Sequence, residues 1–168
     1  MPESNTRYYE RDSGDALYRR SLYTFWKRAA PPATMDIFNA PSREVCSVRR
    51  ERTNTPLQAL ATLNDPQFLE AARHLAEVAL TREKGDEDKA LEEIARRLLS
   101  RSLTSEEKVI VKHTLAEMGA FYQQEPQAVK QLLSIGESKP SAAIPGSQLA
   151  AMTMVANQLM NLDEVLNK

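Results

Sequence analysis

Glycine, cysteine and long apolar runs are scarce in this sequence. Five Gly among 168 residues argue against a fold rich in strands and tight turns, because such turns depend on glycine. The single cysteine, Cys46, excludes an internal disulfide. No apolar run reaches the roughly 20 residues that cross a bilayer, so we expect no membrane insertion. The net charge of −1 gives no general attraction to nucleic acid, and we expect no nucleic-acid partner.

The charge is distributed unevenly along the chain. Residues 1–55 carry ten Lys and Arg against seven Asp and Glu, a net charge of +3, whereas residues 56–168 carry twelve against sixteen, a net charge of −4. The polar N-terminus has no apolar signal-peptide core. It looks like a cut made inside a longer protein, so we expect this chain to be a fragment.

Helix formers and helix-start signals fill the second half of the chain. A capping residue before Pro opens two predicted helices, at Thr55-Pro56 and Asp65-Pro66. Further starts are predicted at Asp86, Thr104, Pro126 and Ser147. Because apolar residues recur every three or four positions after each start, the sequence predicts an all-α fold, an irregular bundle of five or six helices with an irregular N-terminal segment.

Three regions are expected along this single domain. Residues 1–14 form a tail or linker, residues 15–53 form an irregular aromatic and Arg-rich segment that packs on the bundle, and residues 54–168 form the bundle. The stretch Leu22–Trp26 has the pattern of either a helix capped by Asp15 or an extended piece. Residues 35–38 fit a single helical turn.

A cluster of arginines before the first long helix is the candidate ligand site. Guanidinium groups suit forked contacts with carboxylates or phosphates, and two helix N-termini follow directly. The predicted ligand-binding residues are Arg43, Arg49, Arg50, Arg52, Asn54 and Trp26. In the structural alternative, the arginines pair with Asp36, Glu44, Glu51 and Asp65 and only fix the loop.

Other reactive side chains have simpler interpretations. Arginines flank Cys46 and would favour its thiolate, but no base is near in sequence, so we expect a small buried apolar residue. Glu70 and His74, four residues apart, are expected to be a surface helix pair rather than metal ligands. We predict no metal site, no catalytic residue and no cofactor here, since haem attachment needs a C-x-x-C-H motif. Whether the chain takes part in catalysis stays open.

Several stretches of this sequence resemble segments of a known protein family. The segments Arg20–Arg28, Pro41–Cys46, Arg49–Leu60 (RRERTNTPLQAL) and Leu63–Pro66 resemble the C-terminal part of the domain of unknown function 1553, found in planctomycete-type proteins. Residues 149–151, 155–157 and 162–164 resemble that family's closing helix, which commonly has an aromatic where this chain has Met152. The resemblance covers roughly residues 17–166.

The resemblance implies an exported parent protein, located in the periplasm or at the cell surface. It also implies a haem-bearing cytochrome-c-like domain elsewhere in the parent, and a second uncharacterised domain upstream. Our own hypothesis is that this chain packs on the upstream domain through residues 20–60. We therefore expect an uncharacterised helical module that packs or interacts without independent catalysis. The alternative is that the Arg-rich segment completes an anion-binding, glycan-binding or active site shared with the upstream domain.

Overall fold

A computed structural model of the chain is helical. It describes residues 11–24, 26–27, 31–42, 44–49 and 52–167, and these ranges contain no β-strand. Two short 3-10 helices, Gly14–Tyr18 and Ser21–Tyr23, come first. In the described ranges the α-helices are α1 (Ala33–Ile37), α2 (Pro56–Asn64), α3 (Pro66–Arg82), α4 (Glu87–Leu99), α5 (Ser105–Gln124), α6 (Pro126–Leu133), α7 (Gly146–Met160) and α8 (Asp163–Leu166). The predicted all-α bundle is confirmed.

The chain divides into two compact units, unit 1 (Met1–Ala61) and unit 2 (Thr62–Lys168). The division falls within α2, whereas the sequence placed the start of the bundle at residue 54. The predicted packing of residues 15–53 on the bundle stays a prediction.

The N-terminal stretch adopts neither of the two predicted conformations. Residues 14–23 form two short 3-10 helices, and the first begins after Ser13 rather than after Asp15. Thr24 is extended, with φ −70° and ψ 130°, but Phe25 lies outside the described residues. The expected turn at residues 35–38 is found as α1, which follows Pro32.

The helix starts of unit 2 follow the sequence signals. The Asp65 carboxylate accepts from Gln67 N at 2.8 Å, ahead of Pro66. The Asp86 carboxylate accepts from Lys89 N at 3.1 Å. Thr104 and Glu107 form a reciprocal capping box, which satisfies N–H groups that have no partner within the helix.

The predicted cap at Ser147 is wrong. Helix α7 begins at Gly146, and Pro145 occupies the capping position without a side-chain bond. The Pro145 carbonyl already accepts from Leu149 N at 3.0 Å. Ser147 therefore lies inside the first turn, where its hydroxyl no longer has the position of a cap.

Helices α3 and α7 form the centre of unit 2. They contact each other, and α4, α5 and α6 contact α7. Alanines of both helices are almost completely buried: Ala72, Ala76 and Ala79 in α3, and Ala150, Ala151 and Ala156 in α7. Small side chains let two helix backbones approach closely. Larger residues such as Leu80, Ile94, Leu149 and Val155 fill the rest of the core.

A buried hydrogen bond connects the start of unit 2 to α7. Thr62 lies in the last turn of α2, where carbonyl groups have no partner within the helix. Its carbonyl accepts from Asn157 Nδ2 of α7 at 3.0 Å, and both residues are fully buried. The bond supplies a donor that a buried carbonyl needs.

Candidate interaction surface

The start of α2 is fixed by Gln58. Gln58 N donates to Thr55 Oγ1 at 3.3 Å and Thr55 N donates to Gln58 Oε1 at 3.0 Å, the arrangement of a capping box. The Gln58 amide also donates to the Ile37 carbonyl at 2.9 Å and to Thr53 Oγ1 at 2.7 Å. One buried side chain thus joins the end of α1, the residues before α2 and α2 itself.

Between α1 and α2 runs the arginine-rich loop, residues 41–55. Its described residues have no helix or strand, and all except Thr53 are exposed. Val45 and Val48 keep 75% and 103% of their reference exposure. Apolar side chains that stay exposed contribute no hydrophobic stabilisation to the fold. The two valines therefore do not serve to cover a core.

Cys46 is exposed and free. The expectation of a small buried apolar residue is therefore wrong. The expectation rested on the absence of a base near Cys46 in sequence, which does not determine burial, and the loop has no helical or strand periodicity that would turn the side chain inward.

The residues predicted to bind a ligand are partly placed by the structure. Arg49, Arg52 and Asn54 are exposed, and Trp26 is half-buried. Neither Arg49 nor Arg52 pairs with a carboxylate of the described residues, Asp36, Glu44 and Asp65 included. Arg43 and Arg50 lie outside the described residues. The convergence of these six side chains on one concave surface stays a prediction.

Exposed apolar side chains recur throughout the described part of unit 1. Pro32 and Gln58 are the buried residues there, and neither is a large apolar side chain. Seven large apolar residues are exposed: Tyr18, Leu22, Tyr23, Val45, Val48, Leu57 and Leu60. A stable domain buries most side chains of this kind, so unit 1 lacks a core of its own in the part of the chain that the structure describes.

Unit 2 holds a separate buried polar cluster around Glu70 and Arg73 of α3. Glu70 Oε1 accepts from Glu137 N at 3.0 Å and from Ser138 N at 2.6 Å. Arg73 donates to the Leu133 and Ser138 carbonyls at 2.7 and 2.8 Å. The two charged side chains, 3.5 Å apart and almost completely buried, thereby hold the turn after α6 against α3.

The sequence did not indicate this cluster, and the predicted surface pair of Glu70 and His74 is wrong. Glu70 points inward, while His74 is exposed and lies 3.5 Å from Glu77. The backbone donors to Glu70 are 67 and 68 residues away along the chain, so no local pattern indicates these contacts. The only signal in the sequence that Glu70 is buried is its position next to the apolar residues Leu69 and Ala72.

The cluster also places a serine hydroxyl against a carboxylate, the pairing of a nucleophile and its base. Ser138 Oγ donates to Glu70 Oε1 and accepts from Arg73 Nη2 at 2.7 Å. A catalytic base must be ready to take a proton, whereas the Glu70 oxygen that Ser138 contacts already accepts from the backbone N–H groups of Glu137 and Ser138. The cluster is therefore suited to fixing the turn rather than to activating Ser138.

The described residues offer no group of three or more His, Cys, Asp or Glu placed to hold a metal ion. None of their helices is both long and apolar enough to cross a membrane.

Comparison with known proteins gives one result. The family model PSD1, described as a protein of unknown function (DUF1553), matches residues 1–115. No curated protein and no solved structure matches the chain. The match includes the whole arginine-rich loop and α2, and it ends within α5, so it does not cover the closing helix whose resemblance was noted above. Because it spans 115 of 168 residues, the chain belongs to the PSD1 (DUF1553) family.

Proposed function

We propose that this chain is a non-catalytic interaction module of a larger exported bacterial protein, and that unit 1 binds an upstream domain of the same polypeptide. The observation that carries the proposal is that unit 1 exposes its large apolar side chains instead of burying them. Seven large apolar side chains are exposed, and no large apolar side chain of its described residues is buried.

Unit 1 is at an energetic disadvantage when it stands alone. Ordering one residue costs roughly 1–2 kcal/mol of backbone entropy, and burying a side chain the size of Leu or Val returns about 1.5–3 kcal/mol. Unit 2 has such burial in its helical core. A partner that covers Leu22, Tyr23, Val45 and Val48 would supply it to unit 1.

The family resemblance supports the kind of parent that we propose. It implies an exported planctomycete-type protein of the periplasm or cell surface. A cytochrome-c-like domain elsewhere in that protein would hold the haem, and this chain would bind no cofactor.

Hydrogen exchange tests the proposal. The amides of unit 1 should exchange rapidly in the isolated chain and become protected when the upstream domain is present in the same polypeptide. Unit 2, which has its own core, serves as the internal control and should be protected in both. Equal protection of unit 1 in the two samples would contradict the proposal.

Anion binding is the second candidate function, and the exposure of Arg49 and Arg52 favours it. Neither guanidinium group pairs with a carboxylate of the described residues, so both are available for a sulfate or carboxylate group. The whole parent protein should be titrated against sulfated and oxidised polysaccharides. Arg49→Gln and Arg52→Gln should each weaken binding, whereas Arg82→Gln, an exposed arginine of unit 2, should not. Unchanged affinity in the first two variants would exclude this function.

A further inference from the structure

Helix α2 has its polar side inside and its apolar side outside. Gln58 and Thr62, four residues apart, are 3% and 0% exposed, while Leu57 and Leu60 are 55% and 58% exposed. With 100° between successive residues, the two pairs lie on nearly opposite sides of the helix. A surface helix of a self-sufficient domain has the reverse arrangement. We call the side formed by Leu57 and Leu60 the apolar face of α2.

The orientation of α2 is held by specific bonds. Gln58 donates to the Ile37 carbonyl and to Thr53 Oγ1, and it shares the capping box with Thr55. Turning the helix to bury its leucines would break these bonds and leave buried polar groups without partners, which is unfavourable. These bonds therefore oppose a rotation of α2 that would bury Leu57 and Leu60.

The described residues of unit 1 carry a small positive charge. They contain six Lys and Arg against four Asp and Glu, a net charge of +2. Arg52 lies five residues before Leu57, and both Arg49 and Arg52 are exposed. Arg52 precedes Thr53, whose hydroxyl accepts from Gln58 Nε2 at 2.7 Å, so Arg52 lies next to the start of α2. A complementary partner would therefore combine apolar side chains with carboxylates.

We propose that the apolar face of α2 docks an acidic amphipathic helix of the partner. Two leucines spaced i, i+3 form a short ridge of the kind that fits between the side chains of another helix. Carboxylates on the partner helix would meet Arg49 and Arg52. This proposal rests on the interaction function above and specifies the chemistry of the partner.

Other occupants fit the surface less well. A second copy of unit 1 would bring two basic surfaces together, and nucleic acid gains nothing from exposed leucines. A lipid surface would need a longer apolar stripe, whereas the third position on this face is Asn64.

Site-specific photo-crosslinking tests the proposal. Leu60 is replaced by p-benzoylphenylalanine in the full-length parent protein, expressed in its own host, and cross-linked peptides are identified by mass spectrometry. We expect a product with an acidic segment whose apolar residues recur every three or four positions. Leu162, 41% exposed in unit 2, receives the same probe as the matched control and should not give this product. Circular dichroism verifies folding, and a probe at Leu57 provides an independent second position.

The charge requirement has its own test. Arg49→Glu combined with Arg52→Glu should lower the yield of the Leu60 product at least fivefold, while Arg82→Glu in unit 2 should leave it unchanged. Cross-links to a lipid, to a second copy or to a basic or neutral segment would overturn the proposal, as would the absence of any product. If hydrogen exchange still shows protection of unit 1 by the upstream domain, then the interaction function stands and only the acidic-helix partner is excluded.

Discussion

At the level of single residues, Gly136 controls the position of the buried Glu70 carboxylate. Its φ of +96° lies in the region that favours glycine, and a Cβ built on it would come within 2.4 Å of Glu70 Cδ. The turn after α6 can therefore reach the Glu70 oxygens only because this residue has no side chain.

Gly136→Ala should lower the free energy of unfolding by about 3–4 kcal/mol, because left-handed strain adds to the displacement of Glu70 from its buried bonds. Gly85→Ala is the matched control. Gly85 also has a positive φ, +84°, but nothing lies within 4 Å of its Cβ position, so only the strain of about 1–2 kcal/mol applies. Urea unfolding measures both. Equal losses would show that Glu70 moves aside without cost.

Removing the charge of Arg73 should be equally damaging. Arg73→Met leaves Glu70 as a buried carboxylate that has lost its cation, and breaking such a pair costs about 3–5 kcal/mol. Arg97→Met is the control, since Arg97 pairs with Glu93 at 2.8 Å on the surface and water replaces the lost contact. Thermal unfolding compares the two, and a similar change in Tm for both variants would contradict a structural role for the buried pair.

At the level of elements, the local signals were sufficient wherever the partners are neighbours in sequence. The caps at Asp65, Asp86 and Thr104 use atoms two or three residues away, so residue types alone predicted them. The predicted cap at Ser147 was wrong because α7 begins earlier, with Pro145 in the capping position. The inverted faces of α2 were also missed, because the apolar pattern indicates a buried leucine side while the bonds of Gln58 decide otherwise.

The capping box of α5 should contribute measurably to its stability. Thr104→Ala removes the acceptor for Glu107 N and should cost about 1 kcal/mol. Ser105→Ala, in the next position, leaves the box intact and is the control. Urea unfolding followed by circular dichroism gives both values, and an unaffected Thr104→Ala variant would mean that water replaces the cap.

The same box makes the molecule sensitive to acid. Hydrogen bonds from Arg101 lower the pKa of Glu107 from 4.5 to about 2. Because this pKa is lower in the folded chain than in the unfolded chain, the ionised form stabilises the fold above about pH 4.5 and the effect is lost as the pH falls towards 2. Glu107→Gln should therefore flatten the decrease of stability between pH 5 and pH 2. A variant that keeps the full acid dependence would assign it to other carboxylates.

At the level of the whole molecule, the two units differ in how they use apolar residues. Unit 2 buries them between helices, while the described part of unit 1 exposes them beside its arginines. Composition and periodicity predicted the bundle, since each helix carries its own apolar stripe. They could not predict the exposure of Cys46 or the burial of Glu70, because burial depends on segments that meet from distant parts of the chain.

This difference should decide where a protease cuts first. Trypsin should cleave the isolated chain within the arginine-rich loop, after Arg49 or Arg52, because exposed backbone outside helices is the preferred substrate. Mass spectrometry should then show a fragment that starts at residue 50 or 53 and resists further digestion. Initial cleavage after Lys84, in the short turn between α3 and α4, would instead make unit 2 the weaker part.

The position of α7 also determines which residues an expressed fragment of such a protein has to include. The stretch shared with the family stops at residue 115, halfway along α5, and so omits the helix that covers the alanine surface of α3. A clone trimmed to that stretch would leave Ala72, Ala76 and Leu80 facing water and Thr62 without its donor. Expression boundaries drawn from shared sequence alone would then yield aggregates, and a boundary beyond Met160 would not.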